Sequence, residues 1–259
     1  MLDRIHEFRG KLQSGTKCLG CSITLSDASV TEALGQLVDF FWVDLEHTHL
    51  SLESLLNHLI AARAIGRPAL VRVPTSDVAS IKPVLDMGAD GIITPQVKSA
   101  DEVRQVVQHC RYKPIGDRGH GPRRASDYGN YGGGVEYAAA ANDGVFVVVQ
   151  IERADALADL DNILAVDGYD SLAIGPSDLA ASMGHTGNYN HPEVQKALET
   201  IIRKSLAAGK FIGSGMGPET QFAQHLFDLG AQWIQCGDDF GYMMKYCDQL
   251  YSSIRNFDR

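Results

Sequence analysis

Short apolar runs rich in β-branched residues recur along the chain, each followed by a stretch whose apolar positions return every three or four residues. The runs are CLGCSITL (18–25), FFWVDLE (40–46), PALVRV (68–73), DGIITPQV (90–97), GVFVVVQIE (144–152), SLAIGP (171–176), FIGSGMG (211–217) and WIQCGDD (233–239). Between them DASVTEALGQL, SLESLLNHLIAARAIG, DVASIKPVLDMG, SADEVRQVVQHCR, ADALADLDNILAV, HPEVQKALETIIRKSLAAG and GPETQFAQHLFDLG read as helices. Ser51 and Ser99 stand where N-caps belong, and Gly66, Gly88, Gly209 and Gly230 stand where helices end. The apolar runs are continuous rather than alternating, which predicts strands buried on both faces. Eight such repeats predict a single (β/α)8 barrel over residues 1–259, with an N-terminal helix in MLDRIHEFRGKLQSG and a C-terminal one in GYMMKYCDQLYSSIRNF. A doubly wound open sheet is the competing arrangement. Residues 111–140 form too long a segment for a plain connector and predict a functional loop with short helical pieces.

Composition narrows the partners. A net charge of −9 gives no general attraction to phosphate backbones or anionic lipid, so neither nucleic acid nor membrane is an expected partner. No stretch approaches the roughly 20 apolar residues of a membrane span. The opening residues lack a signal-peptide apolar region, and the expected location is cytoplasmic. The odd, scattered set of five cysteines suits reduced thiols. Cys18 and Cys21 form a CxxC only formally, because positions three apart on a strand face opposite sides.

In a barrel, functional groups gather at the C-terminal ends of the strands. There the chain places Asp44, Glu46 and His47, then Arg72, Gln96, Gln150 with Glu152, the Gly175-Pro-Ser-Asp178 turn, and Asp238-Asp239. Glu152 and Asp178 come from neighbouring strands, and two carboxylates at one mouth repel unless one is protonated or a cation bridges them. Each alone reads more readily as a cap for the helix that follows. Together they suit a hard divalent ion, Mg²⁺ or Mn²⁺ with Co²⁺ as a further choice, held by oxygen.

His47 follows Asp44 by three residues. A hydrogen bond from one ring nitrogen to Asp44 would make the other a better proton acceptor, whereas a lone histidine is ordinarily a satisfied surface or core residue. His49 reads as a loop residue. Arg72, in an otherwise apolar strand, needs an anion: a substrate carboxylate, a developing oxyanion, or an ion pair with Glu152 or Glu46. Backbone N–H groups of Gly175–Ser177 suit a carboxylate. Arg118, Arg123 and Arg124 either contact an anion or brace the barrel.

A divalent ion with open positions, a cation for an oxyanion and a His/Asp base describe an enzyme that makes or consumes an enolate. A 2-oxo acid can chelate such an ion through its carboxylate and keto oxygens. No apolar run carries an interior lysine for a Schiff base, and Lys210 precedes its strand at the wrong end.

VDLEH (43–47), VRVP (71–74), the set Pro114, Gly116, Arg118, Gly119, Arg124, Ala125, Tyr128 and Gly129, QIE (150–152) and IGPSDLAASMG (174–184) resemble the HpcH/HpaI aldolases, in unbroken order from about residue 18 to residue 240. These are metal-dependent class II pyruvate aldolases on a (β/α)8 barrel, such as those acting on 4-hydroxy-2-oxo-heptanedioate or 2-keto-3-deoxy-sugar acids. The resemblance implies reversible cleavage of a 4-hydroxy-2-oxo acid to pyruvate and an aldehyde through a metal-stabilised enolate. It implies Glu152 and Asp178 as metal ligands, Arg72 on the enolate, and His47 with Asp44 on the aldol hydroxyl proton. Gln150 would lie near the keto acid, and Gly175 and Ser177 would offer N–H groups to its carboxylate. It also implies a homo-oligomer, a hexamer or trimer of dimers, with the final helix and its Met243, Met244, Tyr246, Leu250 and Ile254 against a neighbour. Many members carry Gly after the aspartate and Ala-Pro after the histidine, whereas this chain has Leu45 and Thr48-His49, so the aldehyde is not carried over. Two rival readings are a related enolate lyase or oxaloacetate-type decarboxylase on the same barrel, and a non-catalytic keto-acid-binding barrel.

Overall fold

All eight apolar runs form strands: β1 (Cys18–Ile23), β2 (Phe40–Asp44), β3 (Ala69–Arg72), β4 (Gly91–Thr94), β5 (Phe146–Ile151), β6 (Ser171–Ile174), β7 (Phe211–Met216) and β8 (Trp233–Asp238). The computed structural model describes residues 3–132 and 134–256. Each strand pairs in parallel with the next, and β8 returns to β1 through Cys18 opposite Trp233 and Leu19 opposite Ile234. That closure overturns the open-sheet alternative, because no sheet edge remains.

The apolar runs are continuous because successive residues serve two cores. Phe41, Val43, Val71, Ile92, Val147, Val149 and Leu172 pack outward under the helices. Phe40, Trp42, Leu70, Ile93, Phe146, Val148, Ala173 and Trp233 fill the barrel itself. Cys18 belongs to this inner cluster and Cys21 does not, in line with the opposite facing expected of them, and all five cysteines are free thiols. The first helix, α1 (Asp3–Gln13), adds Ile5, Phe8 and Leu12 to the inner cluster. Phe8 packs against Phe40 at 5.3 Å and Phe146 at 5.6 Å between ring centroids, stoppering the N-terminal end of the barrel.

Around the strands lie α2 (Ser29–Leu34), α3 (Leu52–Ala64), α4 (Val78–Asp86), α5 (Ala100–Cys110), α6 (Val135–Gly144), α7 (Ala154–Ala158), α8 (Leu160–Leu164), α9 (Pro176–Ser182), α10 (Pro192–Ala207), α11 (Thr220–Leu229) and α12 (Asp239–Arg255). Ser51 and Ser99 accept the capping N–H groups of Ser54 and Glu102. The stretch 154–166, expected as one helix, is two: it breaks at Asp159, whose carboxylate accepts the Ala100 N–H at 2.7 Å from the neighbouring helix. The ends of the expected terminal helices, Met1-Leu2 and Phe257, lie outside the described residues.

The 111–140 segment contains 3-10 turns at Arg124–Gly129 and the start of α6. Arg124 donates to the carbonyls of Met87 (2.6 Å) and Leu59 (3.2 Å), while Arg118 donates to Asp86 (2.6 Å) and lies over the Tyr112 ring. These two therefore brace the barrel, and Arg123 is exposed. Among the described residues, no helix is long and apolar enough to cross a membrane.

Candidate active site

Inward-facing side chains change from aromatic to polar toward the C-terminal end of the barrel. Along β5 the series is Phe146, Val148, Gln150 and then Glu152, one residue past the strand. Glu152 is 1% exposed. Its Oε1 accepts the Gln96 N–H at 2.7 Å and its Oε2 accepts a short bond from Gln150 Nε2. The turn after β4 aims that Gln96 N–H by placing a non-glycine residue at φ +54, in the left-handed region. On the other side a Cβ at Gly175 would stand 2.3 Å from Glu152 Oε2 and 2.8 Å from Gln150 Nε2, so only glycine leaves room for this carboxylate. Burial drives the Glu152 pKa up to about 8. The Gln96 N–H and Arg72 oppose that rise, and the nearby Asp178 and Glu46 carboxylates add to it.

Asp178, in the first turn of α9, is exposed and makes no hydrogen bond or ion pair among the described residues. Neither acid is a helix cap: Arg153 precedes α7 and Gly175 precedes α9, both without a side-chain capping bond. Gln150 Oε1 is buried with no partner among the described residues. Two carboxylates that cap no helix, an orphaned amide oxygen and a Glu152 carboxyl whose pKa burial and neighbouring acids raise make a donor set that fits a hard divalent cation keeping part of its water shell.

Opposite this pair, β2 and β3 bring together Asp44, Glu46 and Arg72. Arg72 Nε and Nη2 donate to the two oxygens of Asp44 at 2.9 and 2.7 Å, and Nη1 lies 3.1 Å from Glu46 Oε2. The guanidinium stacks 5.3 Å from the centroid of Trp42, an inward residue of β2. Burial works to lower the Arg72 pKa, but Asp44, Glu46 and Glu152 outweigh it and raise the value, so the group stays a cation. The ion pair foreseen with Glu46 thus exists, with Asp44 the stronger partner. Asp44 takes two of the five guanidinium N–H groups, and the other three, including those on the Nη1 nearest Glu46, are free to donate to a ligand.

The expected bond between His47 and Asp44 is not formed. Both Asp44 oxygens serve Arg72, and Oδ1 also accepts the Glu46 N–H at 3.0 Å. The His47 side chain is 62% exposed at the rim, with Nε2 3.5 Å from Glu46 Oε2. His49 is an exposed loop residue, as expected. Ser177 is exposed beside Asp178, and Gly175 is buried against Glu152. The acids after β8 are structural: Asp238 caps α12 through the Gly241 N–H at 2.7 Å, and Asp239 holds the backbone N–H groups of Thr24 and Leu25 at 3.0 and 3.1 Å. Sequence reasoning missed the Gln96 backbone donor, the Trp42 platform and the central place of Glu46. Only Trp42 left a signal, its inward register in FFWVD.

Comparison with known proteins agrees with this architecture. The sequence profile of the HpcH/HpaI aldolase/citrate lyase family matches residues 23–245. A 4-hydroxy-2-oxovalerate aldolase from Rhodococcus jostii (strain RHA1) is 39% identical over 252 residues, covering 96% of each chain. A hydroxypyruvate/pyruvate aldolase from Pseudomonas aeruginosa is 36% identical over 249 residues, covering 95% of this chain and 91% of the relative. The crystal structure of an HpcH/HpaI aldolase from Desulfitobacterium hafniense DCB-2 superimposes with a TM-score of 0.88 at 29% identity, covering 95% of this chain and 96% of that one.

Proposed function

The chain belongs to the HpcH/HpaI aldolase/citrate lyase family, and from that membership we propose a division of labour among the residues at the barrel mouth. The protein is a pyruvate-type aldolase, a carbon–carbon lyase that cleaves 4-hydroxy-2-oxo acids. Glu152 and Asp178 hold the divalent ion of this metal-dependent family, Mg²⁺, Mn²⁺ or Co²⁺. When bound there, such an ion supplies Lewis acidity to the carbonyl and carboxylate oxygens of a 2-oxo acid. The observation that carries this reading is Glu152 itself, a buried carboxylate pushed up to about 8 by burial and by further acids.

His47 takes the proton of the C4 hydroxyl in the cleavage direction. The C3–C4 bond then breaks, leaving its electron pair on the pyruvate fragment as an enolate and a carbonyl at C4. Arg72, fixed by Asp44 and backed by Trp42, offers free N–H groups to the enolate oxygen until C3 is protonated. Gln150 lines the keto-acid side, and the Gly175–Ser177 backbone receives the carboxylate. A coupled assay of pyruvate release over a panel of 4-hydroxy-2-oxo acids, with and without chelator, tests the reading. Full activity in excess chelator refutes the metal role, and no pyruvate from any member of the panel refutes the substrate class.

The active unit is a homo-oligomer built through α12. Against its own chain this 17-residue helix buries only Asp239. Met243, Met244, Tyr246, Leu250 and Ile254 are exposed along it. Beside it an apolar groove of about 790 Å³, lined by Leu34, Leu37, Val38, Ala223 and Phe227, stands open with Tyr242 and Tyr246 of α12 itself forming one wall. A second copy's α12 is the complementary occupant, which supports the assembly implied by the resemblance. Free thiols throughout support a reducing compartment.

A further inference from the structure

Residues 44–47 place three titratable side chains in four positions, and the fold gives each a different neighbour. β2 ends at Asp44, and residues 45–48 bend away from the strand direction. The bend carries His47 back over Glu46. Glu46 Oε2 then lies 3.1 Å from Arg72 Nη1 and 3.5 Å from His47 Nε2. That oxygen is buried, yet it accepts no hydrogen bond from either neighbour, and His47 stands at the outer limit of bonding distance. A small rotation of the half-free imidazole supplies the missing donor.

We infer that Glu46 is the positioning residue for His47, receiving its Nε2–H so that Nδ1 takes the aldol hydroxyl proton, while Asp44 serves Arg72. The inference rests on the aldolase reading for the identity of that proton. In the step, the hydroxyl proton passes to Nδ1, the C4–O bond gains carbonyl character, and the C3–C4 pair moves to C3. The imidazolium so formed keeps its Nε2–H on Glu46, whose carboxylate offsets the new charge. Charged groups around this acid are Arg72 from β3, His47, Asp44 from β2, Asp178 from α9 and Glu152 after β5, and burial holds its pKa above the ordinary range. A carboxylate shared between Arg72 and His47 also links the enolate's cation to the base through one side chain.

The test uses full-length protein and Glu46→Gln. In an NMR measurement on the Mg²⁺-loaded protein, with the His47 signals identified by their loss in His47→Gln, the ring ¹⁵N shifts are expected to show His47 as the Nε2–H tautomer in wild type and to lose that preference in Glu46→Gln. With Mn²⁺, cleavage is expected to fall about 10–100-fold, the usual cost of losing an orienting partner. Exchange of pyruvate methyl protons in D₂O is expected to fall less than threefold. Identical His47 ring shifts in the two proteins overturn the inference, as does wild-type cleavage. A parallel collapse of exchange and cleavage also overturns it, because Glu46 would then act through Arg72. Wild-type protein that exchanges no pyruvate protons sinks the aldolase reading instead, and the His47 ring shifts still decide the pairing.

Discussion

If Glu152 holds the metal ion as proposed, proton and ion compete for it, and the burial of the carboxyl sets the scale of that competition. With its pKa pushed up to about 8, first by burial and then by Asp178 and Glu46, this carboxyl holds a proton at neutral pH in the metal-free protein. An ion binding there must displace it. Apparent affinity for Mn²⁺ should therefore fall about tenfold for each pH unit below 8, roughly 1.4 kcal/mol per unit, and be about 100-fold weaker at pH 6 than on the plateau. Stability follows from the same shift. The ordinary value is 4.5, so between 4.5 and 8 the folded chain holds a proton that the unfolded chain has released. Metal-free protein should lose stability as pH rises through that window, on the order of 5 kcal/mol in all. Saturating Mn²⁺ should remove the slope.

Mn²⁺ titrations at pH 6, 7, 8 and 8.5 read the first effect, and denaturant unfolding of wild type against Glu152→Gln, with and without ion, reads the second. The amide variant is uncharged throughout and serves as the pH-independent reference, with weak ion binding at every pH. Its Gln150 neighbour can turn the orphaned Oε1 to the new NH₂ group, so the fold should survive. Affinity that is flat from pH 6 to 8.5, or equal pH slopes for the two metal-free proteins, would refute the assignment.

Two further outcomes follow from the site and the surface. Asp44→Asn breaks a buried bidentate ion pair, which should cost on the order of 3 kcal/mol of stability and, by loosening Arg72, lower cleavage and pyruvate proton exchange together; a variant that loses cleavage alone would return the His47 partnership to Asp44. Met243→Glu with Leu250→Glu puts charge on the exposed stripe of α12 and should convert the proposed oligomer to a folded monomer in light scattering, whereas an unchanged mass would refute assembly through this face.

The strands were legible because most of their residues are buried on both faces, β2, β4, β5 and β6 throughout, so they appear as largely apolar runs whatever their neighbours. Helix continuity was less so: the Asp159 carboxylate at the break accepts from Asn162 within the segment, but also from the Ala100 N–H of another helix, which no pattern within 154–166 announces. Polar strand ends located the mouth and its two facing halves, with Glu152 and Gln150 on one and Arg72 and Asp44 on the other. Partners within a half were not legible, because side-chain direction is lost once the chain leaves the strand. The bend at 45–48 is what moved His47 from Asp44 to Glu46. Gln96 shows the same limit, as a glutamine in the left-handed region announces itself by no local pattern. The apolar stripe of α12 was visible, but its remaining bare on its own barrel was a matter of where the helix lies.

A barrel stoppered by Ile5, Phe8 and Leu12 has one door. Keto acid and aldehyde must pass through the same opening, past His47 at the rim, while Gln150 and Glu152 lie buried behind it. The fragment nearest the buried pair is then trapped beneath the fragment nearest the rim. With the keto acid on Gln150 and Glu152 as proposed, cleavage is expected to release the aldehyde first and pyruvate last, and synthesis to load them in the reverse order. Pyruvate should therefore inhibit cleavage competitively against the substrate and the aldehyde non-competitively, a kinetic signature written by a helix at the far end of the barrel from the chemistry.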